Sequence, residues 1–217
     1  ISMACRGFAV PANELRETAA AAPVREGGGD TAKMSAETTY QIGIATRDIT
    51  PTQAEFDSKK LYLWGFDSVP RANNRGGDNN YCTQTRDPLR VTALSIKASN
   101  GTVVLVALDL GALSEGMTAR IRAALQKDHG IPPEHVCVNV SHTHAAPTVV
   151  SLATWAKGID TAYEPYVERV LDETVRCVAD SLARQKSAQL YSGRGTANIG
   201  RTRHNEAAGL DTTLDVI

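Results

Sequence analysis

The sequence predicts an α/β fold in which a mixed β-sheet, built in layers, carries flanking helices. Two observations predict it. Short apolar runs alternate with amphipathic helical stretches along the chain. In addition, Asn100-Gly101 separates two apolar runs, and this dipeptide is the strongest short signal for a β-hairpin. Strands and helices alternate after the hairpin, and this order indicates a mixed sheet.

The strands are predicted from apolar runs that end at turn residues. They cover residues 41–46, 89–98, 103–109, 135–140, 188–191 and 213–217. The run at 135–140 is short and apolar, which favours a buried strand. Residues 66–88 are rich in Asn, Gly, Arg and Asp and predict a long loop, which in a compact domain is often functional.

Two helices follow from apolar spacing and from capping residues. Ser114 is a suitable N-cap for a helix that runs to about Asp128 and is stopped by Gly130. Residues 163–184 carry one continuous apolar stripe, which predicts a helix packed on the sheet.

The first 39 residues differ from the remainder of the chain. They contain nine alanines, the run Gly27-Gly28-Gly29 and a single aromatic residue, Phe8. Such a segment buries too little apolar surface to offset the entropy of ordering it. We therefore expect a disordered leader at 1–39, without a clear signal peptide, and a folded region at 40–217.

Composition excludes several classes of protein. The chain has 217 residues and a formal net charge of −1, so it lacks the basic character of a nucleic-acid-binding domain. No apolar run approaches the roughly 18 residues that cross a bilayer. The four cysteines form no CxxC pair, which argues against a thiolate zinc site. We interpret Cys137 and Cys177 as buried free thiols.

The most informative segment for function is His142-Thr143-His144 at the end of the predicted strand 135–140. Successive strand side chains alternate, so the two histidines are expected on the same side. Imidazole is the commonest metal ligand in proteins, and a catalytic zinc takes about three protein ligands and a water. Two alternatives remain open at this stage, a metal site and simple hydrogen bonding within a loop.

Two further residues have both a functional and a structural interpretation. Asp109 ends the predicted strand 103–109, where a carboxylate either orients a metal-bound histidine or caps a turn. Arg201 lies in a polar, basic segment that follows a predicted glycine-rich turn at Gly193 and Gly195. Its guanidinium either binds a carboxylate, phosphate or amide oxygen or is solvated at the surface.

Eight short segments between residues 41 and 217, taken in order, resemble one known family. They are 43–51, 64–66, 86–94, 106–111, 130–136, 141–147, 197–201 and 210–214. GIATRDITP at 43–51 resembles the family's GIGRADITP, and SHTHAAP at 141–147 resembles its THTHSGP. The family is that of the neutral/alkaline, non-lysosomal ceramidases. Each match is short, but their common order is quite specific.

The resemblance implies a zinc-dependent amidase that cleaves the N-acyl bond of ceramide, or of a related N-acyl lipid, to sphingosine and a fatty acid. It implies that His142 is a zinc ligand and that His144, beside the metal, assists proton transfer or substrate positioning. It also implies that Arg201 contacts the polar part of the substrate. The cofactor would be zinc, and the substrate a ceramide-like lipid amide met at a membrane surface by a secreted or periplasmic protein.

Some positions depart from the family pattern. Ala145-Ala146 replaces Ser-Gly, Gly200 replaces Asn, and Gln84-Thr85 stands where Gly-Ile-His is common. The family's remaining zinc ligands and its candidate serine nucleophile follow the segment matched at 210–214. The resemblance thus implies that 40–217 is the N-terminal portion of a catalytic domain and is inactive alone.

Two alternatives stay open beside the ceramidase-type hydrolase. One is a non-catalytic or incomplete domain of this fold that acts as a binding or structural module. The other is a metal hydrolase of the same fold that acts on a different amide substrate.

Overall fold

The computed structural model describes residues 39–64, 82–151, 162–199 and 209–217. The predicted leader, apart from Thr39, and Arg201 lie outside the described residues. The strands are β1 Tyr40–Asp48, β2 Arg90–Ala98, β3 Gly101–Leu108, β4 Val136–Val140, β5 Lys186–Ala188, β6 Gly193–Thr196 and β7 Thr213–Val216. The helices are α1 Gln53–Asp57, α2 Glu115–His129 and α3 Glu164–Ala183, and a 3₁₀ turn covers Pro133–His135.

Five of the strands form one mixed sheet in the order β4-β3-β2-β1-β5. Strands β3 and β4 are parallel, and the other neighbours in this sheet are antiparallel. Strands β2 and β3 are joined by the predicted hairpin, with Gly101 at a φ of 144°. Strands β6 and β7 form a separate antiparallel ribbon. The predicted mixed α/β architecture is therefore confirmed.

Helix α3 packs on the sheet at β1 and β2, and its backbone comes very close to that of β1. Most of the stripe predicted for this helix is buried, and the neighbouring Cys177 donates its thiol proton to the carbonyl oxygen of Ala45 at 3.3 Å. A Cβ atom at Gly43 would lie 1.9 Å from the carbonyl oxygen of Ser181. Glycine at position 43 therefore permits the helix to approach β1.

The sheet face opposite α3 is much less covered. Ile44 on β1 and Val103 on β3 are 61% and 42% exposed. Cys137 on β4 shares this face, because it pairs with Leu105 in the register that continues to Leu94 and Ile44. Cys137 is exposed, so the prediction of a buried thiol there is wrong, whereas Cys177 is buried as predicted.

Two local predictions also differ from the structure. The strand expected at 188–191 is β5, which ends at Ala188 because only Lys186–Ala188 pairs with β1. Gly193 and Gly195, interpreted as turn residues, lie in β6, where they pair with Val216 and Leu214 of β7. Pairing with a distant strand overrides the low strand preference of glycine.

Helix α2 connects the two parallel strands, β3 and β4. Its start is capped by Ser114, whose hydroxyl accepts a hydrogen bond from the Met117 amide at 3.2 Å. Its end is capped by Gly130 in the left-handed conformation at φ 65°. Because β3 and β4 are parallel, their carboxyl ends lie at the same edge of the sheet. None of the helices in the described residues is long and apolar enough to cross a membrane.

An ion pair fastens α1 to α3. Arg169 donates from Nε and Nη2 to the two carboxylate oxygens of Glu55, at 2.9 and 2.7 Å, and from Nη2 to the Thr50 carbonyl at 2.9 Å. Burial raises the pKa of the Glu55 carboxyl, but hydrogen bonds from Arg169 and Thr52 outweigh burial and hold this pKa below its ordinary value of 4.5.

Replacing Glu55 with glutamine is expected to lower the free energy of unfolding at neutral pH by about 1–2 kcal/mol. The loss is smaller than for a fully buried pair because the Arg169 side chain is 27% exposed. The folded-state pKa of Glu55 is depressed, so its contribution is present above pH 4.5 and disappears as the pH falls through the lowered value. Urea unfolding between pH 7 and pH 3 measures both effects.

The matched control is Glu168→Gln, which breaks the exposed pair with Arg120. These side chains are 43% and 54% exposed, so we expect a change below about 0.5 kcal/mol. Equal losses from both substitutions would contradict a structural role specific to Glu55.

Candidate active site

The candidate site lies where the chain leaves the parallel strands β3 and β4. Ser141, the first residue after β4, donates its amide to the Leu108 carbonyl at the end of β3, at 3.0 Å. The two segments that follow, 109–111 and 141–145, therefore lie side by side. Sites in α/β sheets are commonly found at such carboxyl ends.

His142 is held by the segment that follows β3. Its Nδ1 lies 2.7 Å from the carbonyl oxygen of Gly111. A carbonyl only accepts hydrogen bonds, so Nδ1 carries the proton, and the lone pair of the neutral ring is on Nε2. His142 is itself exposed, and its backbone has a φ of 58°, in the left-handed region that few non-glycine residues adopt.

The structure brings His144 beside His142. The two ring centroids are 5.1 Å apart, with an angle of 79° between the ring planes. The strand alternation invoked for this pair is not its cause, because β4 ends at Val140 and both histidines lie beyond it. The left-handed conformation of His142 and the turn that follows it place the rings together.

Of the two roles considered for Asp109, the structure shows the capping role. Its Oδ2 accepts a hydrogen bond from the Arg90 amide at 3.0 Å, and this bond closes the start of β2. The group that orients His142 is instead the backbone carbonyl of Gly111, two residues further along the chain. Sequence reasoning missed Gly111, for which the only signal was its place in the matched segment 106–111.

Trp64 is a second residue at this site that sequence reasoning did not single out as functional. Its ring centroid lies 6.2 Å from that of His142, in an edge-on arrangement. Its backbone amide donates to the Ala146 carbonyl at 2.9 Å, and Leu63 pairs with Pro147. The segment 61–64 is thereby held against residues 141–148, the histidine loop.

A cavity of about 250 Å³ adjoins this loop. Its lining contains both apolar and polar residues. The apolar residues are Pro51, Phe56, Pro88, Leu89, Ala145 and Pro147, and the remaining ones are Cys82, Gln84, Thr85, Arg86, Asp87, Asp109 and Thr143. The Glu55–Arg169 pair stabilises the segment that contributes Pro51 and Phe56. Thr143, which lies between the two histidines, and Ala145 are the lining residues nearest to them in sequence.

The arrangement of His142 suits zinc. Metal-bound histidines typically donate their second ring N–H to a carbonyl or carboxylate, as His142 does to Gly111. In the residues that the structure describes, no group of three or more His, Cys, Asp or Glu side chains is arranged to hold a metal. The described part of the chain therefore offers His142, with His144 beside it, as part of a site.

No protein-family model and no curated protein matches this chain in sequence. Its fold, however, matches solved structures. A ceramidase complexed with C2 is 21% identical with a TM-score of 0.58, over 75% of this chain and 24% of that one. The neutral ceramidase from Pseudomonas aeruginosa is 19% identical with a TM-score of 0.61, over 83% of this chain and 29% of that one. The chain thus spans about a quarter of the ceramidase structures and resembles neutral ceramidases in its fold.

Proposed function

We propose that this chain carries part of the active site of a zinc-dependent amide hydrolase. The bond that it cleaves is the N-acyl bond of ceramide or of a related N-acyl lipid. One observation carries the proposal: the imidazole of His142 is fixed through Nδ1 by the Gly111 carbonyl, with His144 beside it, in a fold that resembles neutral ceramidases.

His142 would hold the metal through Nε2, the ring atom that carries the lone pair. Zinc, when bound, polarises the amide carbonyl and lowers the pKa of its water to about 7. The Gly111 carbonyl keeps the imidazole in the ligating tautomer and fixes the plane of its ring.

His144 is the candidate proton donor. Cleavage of an amide releases an amine, whose nitrogen must be protonated as the C–N bond breaks. The ring of His144 is exposed and adjoins that of His142, so it can reach a substrate held there. Arg201 remains our candidate for contact with the polar part of the substrate.

The cavity beside the histidine loop is the candidate substrate site. Its apolar lining residues, which include Phe56 and Leu89, suit hydrocarbon. Its polar lining residues, which include Gln84 and Arg86, suit the hydroxyl and amide groups of a lipid head. A lining of this mixed composition suits an amide that joins a polar head to an acyl chain.

The test is hydrolysis of a short-chain ceramide and of simple N-acyl amides, each with and without added zinc. The 217-residue chain and the full product of its gene are assayed in parallel. Zinc-dependent release of sphingosine by the full product supports the proposal. Turnover of simple amides without ceramide indicates another amide substrate, and an absence of zinc-dependent hydrolysis with all substrates would contradict the proposal.

The 217-residue chain is expected to bind zinc with a dissociation constant weaker than about 1 μM. One or two imidazoles do not close a zinc site, and the described residues supply no third donor arranged with them. Competition with a chromogenic chelator measures this constant. Tight binding of one zinc per chain would show that further ligands are already in place.

A further inference from the structure

We infer that Trp64 and Gly111 are positioning residues, which together fix His142 in its ligating orientation. This inference rests on the proposed function, because it takes His142 as the metal ligand. The three residues form one contact set: the Trp64 ring packs on Gly111 and against His142, and Gly111 bonds to His142.

The space beside the Gly111 backbone is too small for any side chain. Gly111 is buried, and a Cβ atom there would lie 1.8 Å from Cδ1 and 2.0 Å from Cγ of Trp64. Real side chains do not approach that closely, so the indole occupies the volume that any larger residue at 111 would fill. The indole ring therefore fixes the position of the Gly111 backbone, whose carbonyl accepts the hydrogen bond from His142.

Backbone hydrogen bonds hold the segment that contains Trp64 against the histidine loop. The Trp64 amide bonds to Ala146, and Thr148 donates to the Tyr62 carbonyl at 2.7 Å, so both sides of the segment are tied to the histidine loop. Its indole Nε1 is buried and has no hydrogen-bond partner among the described residues. Among the described residues, the ring therefore acts on Gly111 and His142 through packing contacts.

His142 needs such support because its conformation is unfavourable. A φ of 58° is uncommon for a residue other than glycine and carries a free-energy cost that the surrounding contacts offset. In the described part of the chain, the imidazole of His142 contacts the Gly111 carbonyl and the rings of Trp64 and His144. Displacing Gly111 or Trp64 is expected to release the ring from the tautomer that presents Nε2.

The experiment is a double-mutant cycle of Gly111→Ala and Trp64→Ala in the 217-residue chain. Its readouts are the zinc dissociation constant and the nitrogen NMR signals that report which ring atom of His142 is protonated. Gly111→Ala alone is expected to weaken zinc binding about 10- to 100-fold and to lose the Nδ1–H form. In the Trp64→Ala background, where the clash is absent, the same change is expected to have less than about a threefold effect.

Two further variants are the controls. Gly116→Ala adds a Cβ whose nearest neighbour, Ser114 Oγ, is 3.9 Å away, and it should leave zinc binding unchanged. Trp64→Phe removes the indole N–H but keeps a ring, and it should retain zinc affinity within about threefold. If Gly111→Ala does not fold, two other results test the inference. Trp64→Ala alone must still weaken zinc binding, and the double variant must fold.

The inference is overturned if Gly111→Ala keeps both zinc affinity and the Nδ1–H form, or has the same effect in both backgrounds. Failure of the proposed function has a different signature, in which His142→Ala leaves zinc binding unchanged. In that case the Nδ1–H readout still decides whether Trp64 and Gly111 orient the ring.

Discussion

Alanine in place of Gly43 is expected to destabilise the folded chain by more than about 3 kcal/mol, beyond the usual cost of overpacking a core. The new Cβ would meet backbone atoms, the Ser181 oxygen at 1.9 Å and the Gln185 nitrogen at 3.0 Å. Backbone atoms cannot rotate aside as a side chain can. Helix α3 would have to lift from β1, and the contacts of its buried stripe with the sheet would be lost.

Urea unfolding followed by circular dichroism measures this effect. Gly116→Ala, on the exposed first turn of α2, is the matched control and should be neutral or stabilising by up to about 1 kcal/mol. A loss below about 1 kcal/mol for Gly43→Ala would contradict the close packing of α3 on β1.

Alanine in place of His142 is expected to reduce zinc-dependent amide hydrolysis by the full product of the gene at least about a hundredfold. Loss of a group that merely orients a ligand already costs about 10- to 100-fold, and removal of the ligand itself costs more. Zinc affinity should fall in parallel, because the substitution deletes Nε2. Rates with a short-chain ceramide and chelator competition check the two effects.

His129 provides the control for this substitution. It is exposed at the end of α2, outside the contacts described for the histidine loop. His129→Ala should leave both hydrolysis and zinc affinity within about twofold of the unsubstituted protein, as for an ordinary surface position. If His129→Ala and His142→Ala reduce zinc binding equally, the metal is not specific to the candidate site.

The elements that the sequence predicted well are those encoded by local signals. The β2–β3 hairpin follows from Asn100-Gly101, and α2 begins and ends at the capping residues Ser114 and Gly130. Strand β6 has no such local signal. It forms by pairing with β7, and the glycines at 193 and 195 do not favour a strand by themselves.

The candidate site also combines features that have a local sequence signal with features that depend on distant contacts. The spacing of His142 and His144 identified the pair, but the orientation of the first ring depends on Gly111, which is 31 positions away. The contact with Trp64 joins segments still further apart in sequence. The left-handed backbone of His142 likewise has no local signal in the sequence.

The most direct measurement of the central claim, that His142 presents Nε2 to a metal, is a zinc titration of protein labelled with ¹⁵N at histidine. Before zinc is added, His142 should be protonated at Nδ1, as its 2.7 Å contact with the Gly111 carbonyl requires. Zinc should then shift the Nε2 resonance while the Nδ1 proton persists. Loss of the Nδ1 proton, or zinc binding that leaves His142 Nε2 unshifted, would contradict the assignment.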